Sequence, residues 1–229
     1  MRTLVWGLSL AVTLSFAVAT SANAAVVTLG SSNFADAPTG PGVATFDTQT
    51  PVNINDTSPD PAGPFTEGPG SWSGTGIIAQ GTTAGYYAAP FGDATPYFAM
   101  LANPDLGPET LTLSAAATQL SLFWGSVDSY NVIEFLLGGT LVDMVSGNDV
   151  FNPASGDQTS ANTNRLVTIT LAGLFDKVIF YSNGQNAFEF DNVSTAVPIP
   201  AALPLFAGGV GLLGWLARRK RRAAEALHA

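Results

Sequence analysis

Leu166-Val167-Thr168-Ile169-Thr170-Leu171 sets Val167, Ile169 and Leu171 against Leu166, Thr168 and Thr170. That two-residue period belongs to a half-buried antiparallel strand, since successive side chains of an extended chain point to opposite faces. Phe188-Glu189-Phe190-Asp191 repeats the pattern with aromatics on one side and acids on the other. Gly138-Gly139, between two apolar runs, is a hairpin signal, because a two-residue primed turn needs positive φ at both positions.

Working outward, strands are predicted at 76–80, 85–90, 97–102, 110–114, 119–124, 131–137, 140–145, 166–171, 177–182 and 187–193, with two more at Val26–Leu29 and 43–48. No stretch of 25–196 carries a 3.6-residue apolar stripe. Residues 35–73 contain seven prolines, so 25–75 reads as loop-rich and 76–196 as strand-dense. Many short strands with no room for crossover helices predict an all-β ectodomain, an antiparallel β-sandwich of jelly-roll type. A membrane-spanning barrel would need lipid-facing bands of roughly ten residues per strand, and these strands are too short.

Composition removes much chemistry. The 229 residues include no cysteine, which excludes disulfides, thiolate metal sites and cysteine nucleophiles. The only histidine is His228, beside the last residue, so a Ser/His/Asp triad would depend on a frayed tail. Between 25 and 197 only Arg165 and Lys177 face sixteen acids, a net of −14. Nucleic acid is excluded as a partner of that body, since phosphate contacts need a basic face.

The two ends read as addresses. Arg2, the apolar stretch 4–19 and the Ala22-x-Ala24 pattern predict a signal peptide over 1–24, cleaved after Ala24. Residues 197–217 are 21 residues without a charge, and at about 1.5 Å per residue they reach roughly 30 Å, enough to cross a bilayer core. Arg218, Arg219, Lys220, Arg221 and Arg222 follow at once as a stop-transfer cluster. By the positive-inside rule 218–229 is a cytoplasmic tail, and the acidic body lies on the far side of a single transmembrane helix. Trp215 sits next to the charges, as an interfacial aromatic does.

The order of Val197-Pro198-Ile199-Pro200, a Gly-rich apolar helix and an Arg-rich end resembles the PEP-CTERM sorting signal of exosortase substrates. Ile199 stands where the eponymous motif has glutamate. The resemblance implies recognition by an exosortase-type membrane protease and passage through the inner membrane of a Gram-negative bacterium. It also implies release or transfer to the cell surface or extracellular matrix, where polysaccharide is a partner. Residues 120–193 are similar, more distantly, to ectodomains that carry this signal. Independently of the family, Pro198 and Pro200 lack backbone donors and bias their predecessors to extended geometry, which suits a protease substrate. A helix N-terminus that tolerates proline is the other reading of the same residues.

Calcium is the one metal this composition could serve, as it takes oxygen ligands only; Asp191, Glu189 and Asp128 are the candidate ligands, with Asn192 as a neutral donor. The same acids also read as solvated strand faces and turn formers. For sugars, which stack on flat rings, the aromatics in play are Trp72, Trp124, Tyr86, Tyr87, Tyr97 and Tyr130. Trp124 lies in an apolar run and is expected in the core, whereas Trp72 in Gly70-Ser71-Trp72-Ser73-Gly74 reads as a loop residue and the better glycan platform. No local motif pairs two carboxylates for glycoside hydrolysis. The expectation is therefore a non-catalytic surface or matrix protein, with a carbohydrate-binding module or weak glycan hydrolase as the alternative.

Overall fold

Two long strands organise the molecule: Glu109–Gly125 and Arg165–Ser182. In the computed structural model, which describes residues 24–52, 62–102 and 108–197 together with Val210 and Trp215, these are β6 and β9 in chain order. The others are β1 (Val26–Leu29), β2 (Phe65–Glu67), β3 (Gly70–Gly74), β4 (Ile77–Ala79), β5 (Tyr97–Met100), β7 (Asn131–Leu137), β8 (Thr140–Ser146) and β10 (Phe188–Ala196). Helix is confined, among the long described segments, to a 3-10 turn at Phe34–Asp36 and one turn, α1, at Gly147–Val150. The described residues thus form an all-β, wholly antiparallel structure, with ten strands hydrogen-bonded in one network.

Bulges explain how so many strands share so few long ones. The β6–β9 register shifts between Thr112 and Ala117 and again between Ala117 and Gln119. A bulge bends the strand that carries it, so each half of β6 and β9 acquires different neighbours. The early half of β6 lies between β3 and the late half of β9, which continues to β7 and β8. The late half of β6 lies between β10 and the early half of β9, which takes β1 on its far side. The runs predicted at 110–114 and 119–124, and at 166–171 and 177–182, are therefore halves of single bent strands.

The core is aromatic. Trp72 on β3 lies 5.7 Å from Phe98 on β5 and 6.1 Å from Phe190 on β10, ring centre to ring centre, although β3 pairs with neither strand. Phe180 on β9 stands 5.8 Å from Trp72 and 4.6 Å from Phe190. Such offset and edge contacts add stabilisation beyond the apolar area that each ring removes from water. Trp124 is fully buried and stacks on Phe188 at 4.6 Å, as expected of a core residue.

Several expectations are met closely. Val167, Ile169 and Leu171 are buried while Leu166, Thr168 and Thr170 are half-buried, and the polar row pairs across to β6 through Thr168 with Ser121 and Thr170 with Gln119. Gly138 and Gly139 have φ of 56° and 82° and join β7 to β8. Others need correction. Residues 43–48 make one isolated bridge, Ala44 to Val193, and 85–90 make one through Thr83 and Tyr87. The segment read as loop-rich contains β2 and β3, so Trp72 is a strand residue. Of the predicted addresses, residues 1–23, 198–209, 211–214 and 216–229 lie outside the described residues. They contain Ala22, Pro198, Ile199, Pro200, Arg218, Arg219, Lys220, Arg221 and Arg222. Among the described residues no helix is long and apolar enough to cross a membrane.

Candidate functional site

β10 is flanked by β5 and β6, and both of its faces are covered. Phe188 and Phe190 enter the aromatic core, while Glu189 and Asp191 on the other face are 2% and 1% exposed. The alternation was legible, but a solvated acidic face was not the outcome. Segments 83–95 and 31–46 lie over it, tied down by backbone bonds such as those between Ala44 and Val193. Polar groups buried this way need partners, because an unpaired one costs about 1–3 kcal/mol.

Glu189 meets that need at the floor of a cleft of about 360 Å³. Its Oε1 accepts from the Ala88 amide at 2.8 Å and its Oε2 from the Ser126 hydroxyl at 2.9 Å. Burial pushes its carboxyl up to about 7, against the lowering effect of these two bonds, and the charge of Asp128 adds to the rise. Asp128 stands across the cleft, its Oδ2 accepting from the Tyr130 hydroxyl at 2.6 Å. Burial raises its carboxyl as well, and the Tyr130 bond lowers it. The Tyr130 oxygen also lies 2.7 Å from the Asn186 carbonyl, so one proton serves two acceptors. Gly156, at φ 62°, leaves room for Asp128: a Cβ there would stand 2.2 Å from Asp128 Oδ2.

The walls are held by asparagines that sequence reasoning did not single out. Asn131 receives the Trp124 indole at 3.3 Å and the Asp128 amide at 2.8 Å, and donates to the Ala187 carbonyl at 2.9 Å. Asn164 receives the amides of Phe91 and Ser126, each at 3.0 Å. Both are fully buried. An asparagine between strands and turns looks like any turn former, so its role becomes visible only when its partners are in place. Ser126 adopts φ 37°, a left-handed conformation that costs a non-glycine residue about 1 kcal/mol or more and here aims its hydroxyl at Glu189.

The rim offers Tyr86, 49% exposed, beside the exposed polar side chains of Gln158, Gln185 and Asn186. An aromatic ring beside amides and a carboxylate can stack on the apolar face of a sugar and exchange hydrogen bonds with its hydroxyls. Trp72 cannot do this. It is 0% exposed, and its indole nitrogen donates to the Glu67 carbonyl at 3.1 Å inside the core. The predicted calcium ligands divide: Glu189 and Asp128 share the cleft, while Asp191 lies outside its lining. Among the described residues no three acidic or histidine side chains group as a metal set would. No protein-family model, curated protein or solved structure matches the chain.

Proposed function

We propose that this chain is a non-catalytic exported surface or extracellular-matrix protein, sorted through a PEP-CTERM-like signal. On this reading the N-terminal signal sends it out, residues 197–217 hold it in the inner membrane, and an exosortase-type protease cuts it near Val197-Pro198-Ile199-Pro200. The observation that carries the proposal is the sequence order of that motif, an uncharged stretch of 21 residues and the cluster from 218 to 222. The body suits such a role as a sheet that doubles over at its bulges into a sandwich of jelly-roll type. Val197 follows β10 directly and is 52% exposed, so the motif starts where the chain leaves the sheet. Neutralising Arg218, Arg219, Lys220, Arg221 and Arg222 together is expected to disturb membrane orientation and block processing. The mass of the mature protein, from cells with and without the sorting protease, reads this directly. Normal processing of the neutral variant would remove the main support for the signal.

Carbohydrate binding in the cleft is the second reading, favoured by Tyr86 on the rim above Asp128, Gln158 and Gln185. Both oxygens of Glu189 are engaged in holding the Ala88 and Ser126 segments, which supports binding over glycoside hydrolysis. Stacking on an exposed ring is worth about 0.5–1.5 kcal/mol, so Tyr86→Ala should weaken glycan affinity up to about tenfold. Binding of the full chain to a glycan array, repeated with Tyr86→Ala and Asp128→Asn, checks it. Glycans that bind all three proteins equally would place the contact elsewhere.

A further inference from the structure

Where β10 bulges past β6, between Asp191 and Ser194, the chain holds a second polar centre apart from the cleft. Asp191 Oδ1 accepts from the Asn192 amide at 2.6 Å, and Asp191 Oδ2 has no partner. Asn192 Nδ2 donates to the Pro38 carbonyl at 3.0 Å, and its Oδ1 has no partner. Asp93 Oδ1 receives both the amide and the hydroxyl of Thr95 at 2.7 Å, and its Oδ2 has no partner. These residues are 1%, 3% and 9% exposed.

The three belong to one neighbourhood. Asp191 pairs in register with Phe123, Phe34 packs edge-on to Phe123 at 5.0 Å, and a Cβ on Gly92 would stand 3.4 Å from the Phe34 side chain, which brings the Asp93 turn to the bulge. The negative charges of Asp93 and Asp47 both bear on Asp191, and that of Asp47 also bears on Asp93. Among the described residues nothing cationic answers them. The two basic side chains of the described body, Arg165 and Lys177, are on β9; Arg165 bonds the Gly30 carbonyl, and Lys177 sits where β9 pairs with β6 and β7. Asn192 holds φ 53°, a left-handed conformation, at the bulge.

We propose that Asp191 Oδ2, Asn192 Oδ1 and Asp93 Oδ2 are ligands of one calcium ion, completed by backbone carbonyls and water. Only oxygen donors are present, two carboxylates supply most of the charge, and calcium accepts irregular sets of six to eight oxygens, whereas magnesium demands an octahedron. The set contains two carboxylates and one amide, which is why it does not form a group of three acids. Its effect is to pin the 90–95 turn, through Asp93, onto β10. The site keeps Asp191 and Asn192 from the set read in the sequence and takes Asp93 in place of Glu189 and Asp128, which belong to the cleft.

Titration of the full chain with calcium chloride is expected to show one ion per chain. Calcium at about a hundredfold above Kd should raise Tm by a few degrees relative to chelator. Chelator should also expose 90–95 to limited proteolysis before other segments. Asp191→Asn and Asp93→Asn should each weaken binding at least tenfold, and Asp143→Asn, a change on edge strand β8, should not. Wild-type protein with no calcium heat and the same Tm in chelator overturns the proposal without recourse to any variant. Loss of binding in Asp128→Asn with retention in Asp191→Asn also overturns it, by moving the ion to the cleft.

Discussion

Trp72→Ala is expected to lower the free energy of unfolding by about 3–5 kcal/mol, the range for deleting a fully buried large aromatic. The ring touches Phe46, Phe65, Phe98, Phe180 and Phe190, so its removal leaves a cavity bordered by rigid rings that cannot collapse into it. It also strands the Glu67 carbonyl, which accepts from the indole nitrogen. Trp72→Phe keeps most of the volume and should cost less than half as much. Urea unfolding followed by the fluorescence of Trp124 measures both. A Trp72→Ala protein within about 1 kcal/mol of wild type that had lost glycan binding would return Trp72 to the surface role that its sequence context suggests.

Raising the pH from about 5 to about 8 should destabilise the protein, by about 2 kcal/mol or more for each of Glu109 and Glu189. Burial pushes both carboxyls from 4.5 up to about 7. Between those values the folded state holds a proton that the unfolded state has released. Stability is therefore highest below about 4.5 as far as these two groups are concerned, falls as pH rises to about 7, and is level above that. Glu109 is the more exposed to the effect: its Oε2 receives only the Gly76 amide at 3.4 Å, and its Oε1 has no partner. Melting curves at pH 5.5 and pH 8 should differ in wild type, with part of the difference gone in Glu109→Gln, which should be the more stable of the two at pH 8. Equal Tm at both pH values would mean that these carboxylates ionise as they do in water.

The turn at Gly138-Gly139 requires two positive φ angles and nothing else, and β7 at 131–137 carries the β-formers Val132, Ile133 and Phe135 up to that turn. Trp72 reads as a loop residue from sequence because Gly70, Ser71, Ser73 and Gly74 look like a loop when only neighbours in sequence are considered. Gly70 and Gly74 are small because β6 passes close by: a Cβ on Gly70 would stand 2.1 Å from the Thr112 carbonyl, and one on Gly74 2.4 Å from the Pro108 carbonyl. Small residues in a strand can thus mark a close backbone approach. The gaps between the predicted runs 110–114 and 119–124, and 166–171 and 177–182, are strand as well: the chain passes through them with bulges.

By itself the sequence determined the strand periods, the hairpin turn, the acidic charge of the body and the order of apolar and basic segments at its ends. Each depends on residues only a few positions apart, where side-chain alternation and turn sterics act. Only the tertiary structure decided that both faces of β10 are buried. Glu189 is held by Ala88 across 101 residues and Asn192 by Pro38 across 154, so no local pattern could announce either contact. The cleft and the bulge centre follow from that decision, since burying an acid forces the fold to supply donors, as for Glu189, or to leave oxygens unpartnered, as for Asp191 and Asp93.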